Sequence, residues 1–227
     1  MHRFRYDLHL HTEYSPDCDT RLSTIEDHCL NRGITGIAVT DHNQIDGALR
    51  LRDSVRELKV IVGEEISSRD GDIVGLYLSK RIGSGMSAAD TVDAIHSQGG
   101  CVYLPHPFDR ARARRSKGAS LATIIDRVDI VEIFNGKVGS PRYNQMALEY
   151  ARRLQKLGAG GSDAHSLRAI GTVYNEFMAE EPPGDAASLL KCLAESQLTG
   201  RRRSPVGGWF IVGRRPISLA WRKITGS

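Results

Sequence analysis

Short apolar runs alternate with helix-like stretches along most of the chain, and this alternation limits the architecture more than any other feature. Strand candidates are Arg5–His9, Gly36–Thr40, Val60–Gly63, Ile73–Leu78, Gly100–Leu104, Ile130–Phe134 and Gly158–Gly161. Helical patterns lie between or after them. Thr24–Arg32 ends at Gly33, a suitable left-handed cap. Ser87–Gln98 runs into Gly99-Gly100. Ser140–Leu157 carries Arg152, Arg153 and Lys156 near its end, the sign that a helix dipole favours there. Asp185–Ser196 follows the loop Pro182-Pro183-Gly184. Strands alternating with helices predict an α/β domain with a mainly parallel sheet. Six or seven such units fit a barrel slightly short of eight.

Composition narrows the class. A chain of 227 residues, 40% hydrophobic and 26% charged, has the balance of a folded domain, and no run of eighteen apolar residues predicts a transmembrane span. The N-terminus, Met1 to Asp7, lacks the apolar stretch of a secretory signal. Cys18, Cys29, Cys101 and Cys192 lie far apart with no C-x-x-C pair, so reduced thiols and a cytoplasmic location are expected. The net charge of +4 hides an asymmetry: seven basic residues and no acidic one follow Glu195, and the remainder has 24 basic against 27 acidic residues, or −3. We therefore divide the chain into a barrel over residues 1–200 and a short basic appendage over 201–227. The appendage mixes Trp209, Phe210 and Trp221 with cations. That mixture serves an anionic membrane surface or RNA, or packs the last segment on the barrel.

The chemistry gathers at the ends of the strands. His9 and His11 are two apart at the end of the first run, so strand periodicity puts both rings on one face. Asp17 follows in the loop. His42 lies past the second run, Glu64 and Glu65 past the third, His106 past the fifth, and Asp163 and His165 past the last. In a parallel α/β barrel these ends share the face where active sites lie. Imidazole with carboxylate, without thiolate, suits Zn, Mn or Fe. The donors outnumber the four or so that one zinc takes, so two or three divalent ions are expected. Ions about 3.5–4 Å apart are the recurrent device for phosphate-ester hydrolysis. His2, His28 and His96 carry no such signal: His2 is read as lying at a frayed terminus, and His28 and His96 as helix-surface residues.

These segments resemble the PHP (polymerase and histidinol phosphatase) family: Asp7-Leu8-His9-Leu10-His11-Thr12, Thr40-Asp41-His42, Gly63-Glu64-Glu65, Pro105-His106-Pro107 and Gly161-Ser162-Asp163-Ala164-His165, in the family order. The resemblance spans roughly residues 5–200. It implies a distorted (β/α)7 TIM-like barrel and up to three divalent ions. One ion would take His9, His11, Glu65 and Asp163. Glu65 would bridge to a second, held with His106. A third would take Asp17, His42 and His165. Glu65 is preferred because the family pattern is Gly-x-Glu; Glu64 then points the other way. Many members carry a further histidine about ten residues after that glutamate. Here the stretch is Ser68-Arg69-Asp70-Gly71-Asp72, and Asp70, Asp72 or water takes its place.

The expected activity is metal-dependent hydrolysis of phosphate esters by a metal-activated hydroxide; no catalytic side chain beyond that hydroxide is assigned. Arg110, which opens the basic run ending at Lys117, is a candidate for the substrate phosphate. Asn135 and Arg142 are two more. Expected substrates are a phosphorylated small molecule or a nucleotide. The basic patches leave two alternatives: a nuclease acting on the 5′ ends of short oligonucleotides, or a non-catalytic metal-stabilised module that binds nucleic acid or a partner.

Overall fold

The computed structural model describes residues 1–109, 122–203 and 209–216, from residue 201 onward as backbone alone. The strands are β1 (His2–Leu10), β2 (Gly36–Val39), β3 (Lys59–Ser68), β4 (Gly71–Leu76) and β5 (Cys101–Leu104). They continue as β6 (Ile130–Asn135), β7 (Leu157–Gly161), β8 (Val173–Ala179), β9 (Gln197–Arg203) and β10 (Trp209–Pro216). The helices are α1 (Ile25–Asn31), α2 (Asp46–Ser54), α3 (Ala88–His96), α4 (Pro141–Arg153) and α5 (Ala186–Ala194). Their starts follow from the sequence: Ser87 caps α3, Ser140 with Pro141 opens α4, and Asp185 with Ser188 forms a capping box on α5. No described helix is long and apolar enough to cross a membrane.

The strands form one sheet in the order β10-β9-β8-β1-β2-β3-β4-β5-β6-β7. The section from β1 to β7 curls until its ends meet, giving a distorted, nearly closed TIM-like barrel. The seam is backbone: Asp163 N donates to His9 O at 2.7 Å and His11 N to Ala164 O at 2.9 Å. Gly161 permits it, because a Cβ there would come within 2.3 Å of the His9 Cβ.

Sequence periodicity fixes which face each residue takes. Leu8, Ala38, Ile61, Val74, Leu76, Tyr103 and Ile130 pack together inside the barrel. Ile37, Val39, Val62, Val102, Leu104 and Val131 face outward and pack with Ile25, Leu51, Val92 and Ile95 of the helices. Each fully buried aliphatic side chain contributes about 1.5–3 kcal/mol.

Three local readings change. β3 runs on through Ser68, so Glu64 and Glu65 lie within the strand, not past it. β4 is antiparallel to both β3 and β5, because two residues, Arg69 and Asp70, connect it to β3 and a parallel connection needs a dozen or more. His2 is paired with Ala179 in the antiparallel partner β8, not frayed. β8 and β9 carry the sheet past the seam, and β9 crosses residue 200.

Candidate metal centre

The site begins with a β-bulge. Along β1 Leu8 faces the barrel interior and Leu10 the outer layer, and the β1–β2 register shifts between Asp7 and Leu10. The bulge turns His9 inward beside Leu8, and alternation then turns His11 inward too. Asp7 holds the bulge from outside, accepting hydrogen bonds from Ser162 N at 2.9 Å, Gly171 N at 2.9 Å and His9 N at 3.4 Å.

Glu65 comes to these rings from β3, Asp163 from the loop after β7, and His106 from the loop after β5. The backbone of His106 and Asp163 lies in the left-handed region, at φ 28° and 52°. For residues other than glycine this costs on the order of 1–3 kcal/mol, and such strain gathers at functional sites. Glu65 Oε2 lies 3.6 Å from His9 Nε2 and 3.3 Å from His11 Nε2. Asp163 Oδ1 lies 3.8 Å from His9 Nε2 and 3.5 Å from His11 Nε2. His106 Nε2 sits 3.0 Å from the other Glu65 oxygen. All five residues are buried.

A second group lies at the rim. His42 Nδ1 is 3.2 Å from Glu65 Oε2, and its Nε2 is 3.6 Å from Asp17 Oδ1. His165 Nε2 is 2.9 Å from Asp17 Oδ2. The Asp17 side chain is 51% exposed. His11, His42 and His165 bring one donor each within 4.8 Å of one another.

Electrostatics separates the two groups. Burial disfavours charge on His9, but Asp163 and Glu132 outweigh it and hold the ring well above the ordinary histidine value. Burial pushes Glu65 upward, yet the surrounding imidazoles of His106, His11 and His9 bring it well below the carboxylate range. At the rim, burial and then His11 push His165 down to about 4. Burial also lowers His42. Asp17 is lowered: its partial burial is outweighed by His165 and His42, with Lys137 adding to them. Buried carboxylates among imidazoles make a pocket that demands positive charge.

The donors fit divalent ions. A tetrahedral ion with bonds of about 2.0 Å sets its ligands roughly 3.3 Å apart. The Glu65 and Asp163 oxygens lie 3.3–3.8 Å from the His9 and His11 nitrogens. His9 Nε2, His11 Nε2 and Glu65 Oε2 are buried and make no hydrogen bond. Buried polar atoms are rarely left so, and an ion would satisfy all three.

Bonds on the far sides of the rings set their orientation. Ser15 donates to Asp41 at 2.7 Å, so its oxygen accepts from His11 Nδ1 at 3.1 Å and presents Nε2 to the pocket. His9 Nδ1 meets Glu132 of β6 at 3.0 Å. Glu132 is absent from the sequence reading; its only signal was a carboxylate inside the apolar run Ile130–Phe134. Glu64, on the opposite face from Glu65, accepts from Ile82 N at 2.8 Å, and burial pushes its carboxyl up to about 7.

The three substrate candidates separate. Arg142 is exposed on the first turn of α4. Asn135 is fully buried, and its amide reaches Glu132 at 2.9 Å and Asp163 at 3.0 Å. Arg110 and the basic run to Lys117 lie outside the described residues, as do the side chains of the basic tail.

Comparison with known proteins places the chain in a family. The model of the PHP domain matches residues 7–160, and a PHP-associated model matches residues 141–198. The uncharacterized protein MJ0417 of Methanocaldococcus jannaschii is 29% identical over 215 residues, covering 90% of this chain and 86% of its own. Among solved structures, a two-domain Bacteroides vulgatus protein containing a predicted PHP-like metal-dependent phosphoesterase superposes with a TM-score of 0.72 at 15% identity. That match covers 88% of this chain and 65% of that protein. A lesion-specific endonuclease of Pyrococcus furiosus superposes at 0.59 and 15% identity, over 94% of this chain and 58% of its own.

Proposed function

The chain belongs to the PHP domain family, and from that premise we propose that it is a metal-dependent phosphoric ester hydrolase. The observation that carries the reading is the spacing of the His9, His11, Glu65 and Asp163 donor atoms, 3.3–3.8 Å between imidazole and carboxylate inside a buried pocket. His9, His11, Glu65, His106 and Asp163 would hold the inner ion or ions, with Glu65 shared. Asp17, His42 and His165 would hold a further one at the rim. Zn, Mn or Fe suits these donors. Such ions, when bound, supply Lewis acidity toward a phosphoryl oxygen and lower the pKa of water.

The chain's own residues do the rest. The rim donors face the opening and the inner donors lie beneath it, so a phosphate ester enters past Asp17, His42 and His165. Arg142 and Lys137 are the exposed cations proposed to draw the anion in. The field of Lys137 already reaches Asp17 and His165. Arg110 stands as a candidate from the sequence alone. The buried inner wall keeps bulk water from the shared carboxylate and strengthens its interaction with charge.

The test is phosphate release with added Mn²⁺. The panel holds an aryl phosphate, nucleoside mono- and bisphosphates, histidinol phosphate and short 5′-phosphorylated oligonucleotides. The fold likeness to an endonuclease is the reason for including the last. Turnover that Asp163→Ala abolishes is the expected result, and the preferred substrate separates a small-molecule phosphatase from a nuclease. Full turnover by a verified metal-free Asp163→Ala protein sinks the assignment. Tight metal binding without turnover on any substrate favours the binding-module alternative.

A further inference from the structure

We propose that Glu132 is a positioning residue of the metal centre, fixing the tautomer of His9, holding the backbone of His106 directly and, through Asn135, tying Asp163 to the same carboxylate. The inference rests on reading the cluster as a metal site.

Glu132 is 1% exposed. One oxygen accepts from the Tyr103 hydroxyl at 2.9 Å and meets His9 Nδ1 at 3.0 Å. The other accepts from His106 N at 2.6 Å and Asn135 Nδ2 at 2.9 Å. That Asn135 nitrogen also reaches Asp163 Oδ2 at 3.0 Å. One carboxylate thus contacts the side chain of one proposed ligand and the backbone of a second. A single amide links it to a third.

The chemistry follows from the acceptor. Burial and the nearby Glu132 hold the Tyr103 hydroxyl protonated, so it donates. A carboxylate already receiving donors is an acceptor toward the imidazole as well, which places the His9 proton on Nδ1. Nε2, the atom that faces Glu65 and Asp163 and makes no hydrogen bond, is then the nitrogen that an ion would take in place of a proton. A carboxylate behind an imidazole also raises its basicity as a ligand. His11 obtains the same tautomer from the neutral Ser15. The two histidines of the H-x-H pair are therefore oriented alike but charged differently from behind.

The charge matters beyond orientation. A purely structural role, bracing β5 to β6 through Tyr103, would need the hydrogen bonds but not the negative charge facing an ion. Glu132→Gln keeps size and one acceptor oxygen and removes the charge. We expect it to weaken retention of the tightest Zn²⁺ by about 10–100-fold in chelator competition, the range seen when such supporting groups are altered. The metal-free variant should also unfold at a somewhat lower midpoint, because the amide nitrogen replaces an oxygen that receives two donors. Unchanged Zn²⁺ affinity, with or without a lower midpoint, overturns the proposal.

A second measurement needs no variant. In the Zn²⁺-loaded wild type, long-range ¹H–¹⁵N correlation of the imidazoles should show the His9 proton on Nδ1. A proton on Nε2 overturns the proposal even if Glu132→Gln cannot be folded. Wild-type protein that retains no Zn²⁺ defeats the metal-site reading and this inference with it. Equal retention by wild type and Glu132→Gln defeats the inference alone.

Discussion

The inner and rim groups use the same kinds of side chain in opposite surroundings. His9, His11, Glu65, His106 and Asp163 are all buried, and His9, His11 and Asp163 lie on the seam that closes the barrel. Asp17 is half-exposed, and His42 and His165 are partly exposed beside it. The inner rings His9 and His11 are held above their ordinary value by carboxylates, whereas the rim rings fall below it. On the proposed reading, depth would couple the inner donors to folding, while an ion at the rim would come and go at little cost to the barrel. Glu65 belongs to both, with oxygens 3.0 Å from His106 and 3.2 Å from His42.

The largest effect should come from breaking that shared residue. Glu65→Ala removes the proposed bridge and leaves His9, His11 and His106 without the carboxylate they surround. Hydrolysis should fall by about 10³-fold or more, the scale of several kcal/mol of lost charge stabilisation. Metal content per chain, measured alongside turnover, should fall in both groups. Loss confined to one group would show that Glu65 does not couple them.

Chelation separates the groups next. An ion held at about a hundred to a thousand times its dissociation constant adds roughly 3–4 kcal/mol of stability. In a domain of this size that is about 5–15 °C in the unfolding midpoint. Stripping wild-type protein should lower its midpoint by that amount. Stripping Asp17→Ala should lower it nearly as far, because the inner ions carry the coupling. A drop that vanishes in Asp17→Ala would assign the coupling to the rim instead.

The sequence disclosed the inner and rim donors better than it disclosed what holds them. His9 and His11 were readable because a strand has period two and both sit at a strand end. Asp163 and His165 repeat that spacing, and the structure brings all these candidates to one end of the barrel. The bulge at Leu8–His9 was not legible, since register depends on the partner β2. Glu132 was hidden because a lone carboxylate among Val131, Ile133 and Phe134 has no local pattern; its meaning comes from Tyr103, His9, His106 and Asn135, residues 3 to 123 positions away. The antiparallel β4 was not legible because the apolar runs Val60–Gly63 and Ile73–Leu78 leave nine residues between them, and it is the pairing of polar Ser67 and Ser68 with Asp72 and Gly71 that shortens the connection to Arg69 and Asp70. β8 escaped notice because Val173, Asn175 and Phe177 alternate around a buried polar residue.

A smaller effect tests the rim by itself. Asp17→Ala leaves His42 and His165 without the acceptor that joins them at 3.6 and 2.9 Å. Metal content should fall by no more than one ion. Activity on the best substrate should drop by about 10–100-fold, the loss expected when a metal site is weakened and not destroyed. Excess Mn²⁺ should restore part of it, since an exposed site refills by mass action. Failure of excess metal to restore any activity would show that Asp17 does more than hold an ion.

The smallest effect should come from Glu64, and it tests whether burial and charge alone make a residue part of the centre. Glu64 is as buried as Glu65 and adjacent to it, yet alternation along β3 turns it to the outer layer, where it accepts from Ile82 N. Gln at this position keeps that acceptor. Burial already works against the charged form of Glu64, so the neutral amide removes a disfavoured charge and nothing the pocket uses. Glu64→Gln should retain wild-type metal content and turnover within about twofold, with an equal or higher unfolding midpoint. A collapse of metal binding would mean that the two glutamates exchange faces in solution, and the inner group would lose the fixed bridge that distinguishes it from the rim. Preserved binding leaves strand alternation, one residue apart, as what separates a ligand from a structural carboxyl.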